Sequence, residues 1–206
     1  MANVDAPFGL RPIKHRNGAA YNGAFNPYYV DAAYGTALFI GDPVTRVAGG
    51  SNAAELETPG GKFAIGTLPS VQKTGAGDGN AITGVIVGFG PDPDGLSRLH
   101  NQASTERLVY VCDDPDVIFE IQADGAIGAT QVGLNGVLIY TNSGNAFTGM
   151  SGAELDTTVD VPAADASNQL TIQRVVNRVD NAAASANTVV EVKINNHTET
   201  ANALGI

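Results

Sequence analysis

The sequence has no tryptophan, a single cysteine and few charges. Each shortage excludes something. One thiol, Cys112, cannot form an internal disulfide, so stability must come from core packing and subunit contacts. No apolar run approaches the roughly 18 residues that a membrane-spanning helix requires. The opening Met-Ala-Asn-Val-Asp lacks a basic segment followed by an apolar one, so no signal peptide is expected, and synthesis in a reducing cytoplasm is. Charged residues make up 16% of the chain, against an ordinary value of about 25%. They are also unbalanced: 11 Lys and Arg face 21 Asp and Glu, for a formal net charge of −10. An acidic body repels phosphate backbones and anionic lipid surfaces, so neither nucleic acid nor a membrane is an expected partner.

What is abundant is punctuation, with 25 Gly and 10 Pro among 206 residues. The length suits one domain, or one domain with an arm. Residues 1–36 read as that arm. They hold Pro7, Pro12 and Pro27, six aromatics (Phe8, Tyr21, Phe25, Tyr28, Tyr29 and Tyr34) and the basic trio Arg11, Lys14 and Arg16, without a sustained period. Aromatics in an irregular segment need a surface to bury against. Either the arm packs on its own body or it lies on a partner chain, with Phe8 and Arg11 as anchors and Tyr28 and Tyr29 as a hinge.

Residues 37–206 read as a β-rich body of short strands between Gly, Pro, Asn and Asp clusters. Strands are expected at 37–40, 44–48, 62–67, 83–89, 107–112, 117–122, 136–141, 168–176 and 187–195. Val117, Phe119 and Ile121 alternate with Ile118, Glu120 and Gln122, and Val190, Val192 and Ile194 with Glu191 and Lys193. That period of two marks half-buried antiparallel strands. Val85, Val87 and Phe89 share a face by the same rule. Asp113-Asp114-Pro115-Asp116 is expected to turn a hairpin over 107–122, with Asp114 bonding the turn backbone. The segment 168–179 fits both periods; its valines favour strand, with a bulge near Arg174. One short helical turn can occur within 95–106, and 181–187 reads as another or as a loop. Residues 72–81 and 142–167 are long loops of the kind that carry function, are ordered by a neighbour, or move. The expected fold class is all-β: a short-stranded antiparallel barrel or sandwich of about eight to ten strands with an extended N-terminal arm.

No catalytic constellation emerges. Asp113, Asp114 and Asp116 with Glu120 lack the spacing of a calcium loop, and Pro115 explains them as a turn. Asp92-Pro93-Asp94-Gly95 is a turn on the same grounds. Gly75-Ala76-Gly77-Asp78-Gly79 has neither the Lys nor the flanking elements of a phosphate cradle. His15, His100 and His197 have no close Cys or His companions, so no zinc site is expected. Cys112 shares an alternating face with Leu108 and Tyr110 and reads as a small buried hydrophobe. There is no Gly-x-Ser-x-Gly elbow. Asn196-His197-Thr198 matches a glycosylation sequon by chance. The chain is therefore expected to be no enzyme, and neither cofactor nor metal is expected.

A set of segments nevertheless stands out: Pro7-Phe8-Gly9-Leu10-Arg11-Pro12, Tyr21-Asn22-Gly23, Asn26-Pro27-Tyr28-Tyr29-Val30, Ala37-Leu38-Phe39-Ile40-Gly41-Asp42-Pro43-Val44, Val111-Cys112-Asp113-Asp114-Pro115-Asp116, Val132-Gly133-Leu134-Asn135, Ser151-Gly152-Ala153-Glu154-Leu155-Asp156 and Val192-Lys193-Ile194-Asn195-Asn196-His197. In this order they resemble a family of tailed-bacteriophage virion structural proteins of the capsid decoration, or cement, type. The resemblance implies a noncatalytic protein, made in the host bacterial cytoplasm, that binds the outer surface of the head and bridges major capsid protein subunits. It also implies a homotrimer. Its acidic charge suits the outer face better than the DNA-filled interior. Phe8, Arg11, Lys14, Arg16, Tyr28 and Tyr29 are the candidate capsid or subunit contacts. Other placements are a head–tail connector or a tail component, and, from a different class, a glycan-binding or hydrolytic phage protein. The absence of Trp argues against the last.

Overall fold

The computed structural model describes residues 3–58, 61–92, 95 and 98–200. The fold is all-β, as expected. Its centre is a closed five-stranded barrel in the order β2 (Asn26–Val30), β6 (Pro69–Lys73), β3 (Pro43–Ser51), β7 (Gly84–Phe89) and β8 (Arg107–Cys112). All neighbours are antiparallel except β2 and β6. Beside it lies a five-stranded antiparallel sheet in the order β1 (Arg11–His15), β9 (Val117–Gln122), β14 (Val189–Ile194), β13 (Leu170–Val175) and β10 (Asn135–Gly136). Two small ribbons, β4–β5 (Leu56–Thr58 and Gly61–Phe63) and β11–β12 (Leu138–Tyr140 and Ala153–Leu155), complete the strands. Among the described residues a single 3₁₀ turn covers Ala129–Gln131.

Three apolar clusters follow from this arrangement. Tyr28, Val30, Leu38, Val44, Val71, Ile86, Val109 and Val111 form the cluster inside the barrel. On another side, Tyr29, Leu56, Leu68 and Leu108 pack together under the β4–β5 ribbon. The largest cluster joins barrel to sheet. Val85 and Cys112 from the barrel meet Phe119, Ile121, Leu170, Ile172, Val190 and Val192 from the sheet, with Leu138 and Leu155 from the β11–β12 ribbon. Complete burial of a side chain such as Phe119 stabilises the fold by about 1.5–3 kcal/mol.

Five sequence expectations need correction. Residues 1–36 do not form an arm distinct from a 37–206 body. β1 is an edge strand paired to β9, and β2 sits in the barrel between β6 and β8. Pro12 and Pro27 masked these strands, because proline removes a ladder donor and is confined to edges and bulges. Tyr28 and Tyr29 are accordingly no hinge: both are buried, one inside the barrel and one outside it. The 107–122 hairpin does not form either. β8 pairs with β7 and β2, β9 with β1 and β14. The turn has the expected Asp114 geometry, with the Asp116 amide donating to Asp114 Oδ1 at 2.8 Å, but it carries the chain from barrel to sheet. Phe89 leaves the face of Val85 and Val87, because the register shifts between Ile86 and Gly88 and returns Phe89 to the barrel cluster.

Residues 37–40 make isolated bridges rather than a strand, and 181–187 is a loop. The expected bulge is present, since the β13–β14 register shifts between Ile172 and Arg174. Parts of the 92–95 turn and the 95–106 segment, at residues 93, 94, 96 and 97, lie outside the described residues, as do residues 201–206.

Candidate functional site

Two features of the surface are built rather than incidental, and a third, buried cluster connects the motifs. The first is the outer face of the five-stranded sheet. Strand register places Arg11, Glu120, Glu191 and Arg174 side by side in one row across β1, β9, β14 and β13. Adjacent glutamates repel, and each is answered by two cations. Glu120 binds Arg11 and, at 3.9 Å, Arg178. Glu191 binds Lys14 at 2.7 Å and Arg174 at 3.1 Å. The glutamates are mostly covered, whereas Arg11 and Arg174 remain more than half open to solvent.

The N-terminal residues frame this face. The Ala6 amide donates to Gln122 Oε1 at 2.9 Å, and Gln122 Nε2 donates to the Val4 carbonyl at 2.8 Å. Asn3 and Ala182 exchange a pair of bonds at 3.0 and 2.7 Å. The segment from Asn3 therefore docks on its own sheet. Phe8 lies half-buried, with the Arg11 guanidinium 4.9 Å from its ring centre. Val4, Ala6, Phe8, Arg11, Arg178 and Val189 help line a shallow cavity of about 310 Å³. Of the expected contact residues, the structure thus brings Phe8, Arg11 and Lys14 together at one face. Arg16 is exposed just beyond β1, its amide bonded to the Asp116 carbonyl at 2.7 Å. Tyr28 and Tyr29 are excluded by burial.

The second feature is a loop tip that sequence reasoning passed over. Phe147 is 94% exposed. Its loop is closed by bonds from the Asn145 amide to the Met150 carbonyl and from the Gly149 amide to the Asn145 carbonyl, at 2.9 and 2.8 Å. Asn145 Oδ1 accepts from the amides of Phe147 and Thr148 at 2.9 and 3.3 Å. Gly149, at positive φ, lies so close to Leu99 that a Cβ would collide with it. The ring is held outward by a rigid frame. The only sequence signal was the Asn-x-Phe-Thr-Gly turn composition within the long polar loop.

The buried cluster lies where the barrel meets the β11–β12 ribbon. Asp42, fully buried, receives Lys73 Nζ at 2.8 Å, Ser151 Oγ at 2.6 Å and the Phe39 amide at 2.8 Å. Lys73 Nζ also sits 4.3 Å from the centre of the Tyr140 ring. Burial pushes the Asp42 carboxyl above its ordinary value, while Lys73 and the hydrogen bonds pull it back. Serine, lysine and aspartate in contact are chemically suggestive, but Asp42 and Ser151 are buried and only the Lys73 side chain, 9% exposed, reaches the surface. They form a structural ion pair. Gly9 and Gly41 pass beside it, both with positive φ, and the Leu10 amide donates to the Gly41 carbonyl at 2.9 Å. A Cβ on Gly9 would strike that carbonyl and Ser151. Three of the singled-out segments, around Gly9, Gly41 and Ser151, therefore meet at one junction, where they specify packing rather than chemistry.

Comparison of the chain with protein-family models, curated proteins and solved structures finds no match. No group of three or more His, Cys, Asp or Glu among the described residues could hold a metal ion. Cys112 is buried, and burial raises its thiol to about 11, so at neutral pH it is an uncharged core group. His197 is buried as well, with Nδ1 accepting from the Glu199 amide at 3.0 Å and its pKa held down by burial. No helix among the described residues is long and apolar enough to cross a membrane.

Proposed function

We propose that this protein is a noncatalytic component of a tailed-phage virion that binds the outer surface of the head, contacts the major capsid protein and reinforces the shell as a decoration, or cement, protein. The motif resemblance supplies the context. The observation that carries a binding role is Phe147, an aromatic ring presented to solvent by a loop already locked in shape. Exposing such a ring in water is unfavourable, and burying it against a partner removes roughly 150–250 Å² from solvent. The preformed loop loses little entropy on docking. Residues of this kind act as anchors in protein interfaces.

The test adds purified protein to undecorated heads and images them by cryo-electron microscopy. Density spread over the head surface supports the reading. A single ring at one vertex, or density only on the tail, supports the connector or tail placements instead. Phe147→Ser should weaken head binding by about 2 kcal/mol or more while leaving the fold intact. Unchanged occupancy by this variant would remove Phe147 as the anchor.

A further inference from the structure

The outer sheet face and the 156–167 segment that follows β12 have opposite charges, and the apolar groups beside each also match. On the face stand Arg11, Lys14, Arg174, Arg178 and Lys193 against Glu120, Glu191 and Asp180, an excess of positive charge on a chain whose formal net charge is −10. The remainder of the chain is correspondingly more acidic. One acidic group gathers around Asp160. Asp160 lies against Asp78, close enough to Asp156 and Asp165 that all three, after burial, push its carboxyl above the ordinary value. No Lys or Arg occurs in residues 74–97 or 108–173 to relieve them.

Asp160 stands between Val159 and Val161, which are 81% and 56% exposed. The cavity beside the basic face is lined by Val4, Ala6, Phe8 and Val189, with Arg11 and Arg178 also in its wall. A Val-Asp-Val tip therefore matches a mainly apolar recess flanked by two guanidinium groups, one of which is also paired with Asp180 in the same wall.

The two surfaces belong to different parts of one sheet. Arg11 and Lys14 lie on β1 at one edge. The acidic loop joins the opposite edge, where Ala163 bridges to Asn135 of β10. A chain cannot bring its own two edges together, but a second copy can.

We infer that copies of this chain associate head to tail, the Val159-Asp160-Val161 tip of one seating in the Val4–Phe8–Val189 recess of the next, with its carboxylate between Arg11 and Arg178. The contact is heterologous, so it generates a closed ring where the rotation allows and an open chain where it does not. It deepens the proposed function by naming the surface through which a multimer would form, and it rests on that reading only for the multimer's location.

The experiment is sedimentation velocity of the purified chain, which needs no capsid. Wild type should associate at low ionic strength and dissociate as salt rises, because the Debye length falls from about 30 Å at 0.01 M to about 3 Å at 1 M. Arg178→Glu and Asp160→Arg should each sediment as monomers. The double variant, which restores opposite charges in reversed order, should associate again. Val159→Ser with Val161→Ser gives a charge-neutral check, since both side chains are exposed and their loss leaves the core untouched; it should weaken association at every salt concentration. Circular dichroism matching wild type identifies variants that have kept their fold. A wild-type monomer at all salt concentrations overturns the inference. So does association unchanged in the single variants, or a folded double variant that stays monomeric. Head binding by a folded monomeric variant would separate the two proposals, sinking neither the contact nor the decoration role.

Discussion

Two sets of charges occupy opposite environments in this molecule. Where the barrel meets the β11–β12 ribbon, Asp42 and Lys73 form one ion pair largely removed from water, with Ser151 and the Phe39 amide completing the carboxylate's partners. On the outer sheet face, Glu120 and Glu191 are shared among Arg11, Lys14, Arg174 and Arg178, whose side chains reach into solvent. Each contact of 3 Å or so looks alike on the page. The surroundings make them different. In the junction, loss of one partner strands a charge where water cannot reach it. On the face, water and salt substitute for a lost partner. The same residue types hold the fold together in one place and remain available for a partner in the other.

The largest effect is expected from Lys73→Met. It leaves the buried Asp42 carboxylate uncompensated and should cost about 3–5 kcal/mol in urea unfolding. Asp42→Asn together with Lys73→Met should recover most of the loss. Equal destabilisation by the single and double variants would show that packing of the Lys73 stem, rather than charge, holds the junction.

Cys112→Ser probes the same buried region without a charge. The thiol is 1% exposed, and a hydroxyl placed there without a full set of partners should cost about 1–3 kcal/mol. Native protein should react slowly with thiol reagents; rapid labelling would contradict the burial.

His197 tests how burial handles protonation. Its ordinary value is 6.5 and its folded value is lower, because desolvation disfavours the imidazolium. The folded chain thus binds fewer protons than the unfolded chain as pH falls. The stabilisation is complete above pH 6.5 and is lost progressively as pH drops from there through the folded value, with a slope of up to about 1.4 kcal/mol per pH unit. Chemical denaturation between neutral and mildly acidic pH should reveal it, and His197→Gln should flatten this part of the curve. A variant with an unchanged slope would assign the acid sensitivity elsewhere.

The smallest expected effect belongs to the outer face. Arg174→Ala removes a cation whose side chain is 65% exposed, and should alter stability by no more than about 1 kcal/mol. A loss comparable to that of Lys73→Met would erase the distinction between the two environments.

The sequence revealed elements whose burial is one-sided and whose signals are local. β9 and β14 alternate cleanly because one face packs on the junction core while the other carries Glu120, Glu191 and Lys193. The Asp114 turn and the bulge beside Arg174 were legible because their causes lie within a few residues. β8 misled, since Leu108, Val109 and Val111 are buried on both sides of the barrel wall, and nothing local names their partners. β1 and β2 were hidden by their prolines, and the short β4 and β12 by too few residues to display a period. Of the candidate contacts, Arg11 and Lys14 were singled out by segregated charge and Phe8 as an aromatic in an irregular segment, and the three lie on a common face. The Asp42–Ser151 contact spans 109 positions, a distance at which composition and periodicity say nothing. For Phe147 the turn composition of Asn145–Gly149 was legible, but the exposure of the ring is a property of the folded loop rather than of its sequence.

The strand connectivity also dictates when the molecule can exist. β1 awaits β9, with Arg11 and Glu120 separated by 109 positions, and β9 in turn is held by β14 near the far end of the described chain. β2 cannot enter the barrel until β8 has been made. Almost nothing in the first thirty residues can reach its final neighbours while the ribosome is still translating the middle of the chain. Pairing across such separations must close long loops before any contact rewards it, which places folding among the slow β topologies, on the scale of milliseconds to seconds. During that interval Tyr28, Tyr29 and the β2 edge are unprotected. A cell producing many copies at once therefore depends on the C-terminal strand arriving promptly, and a ribosome stalled before β14 releases a chain with its N-terminal strands exposed to its neighbours.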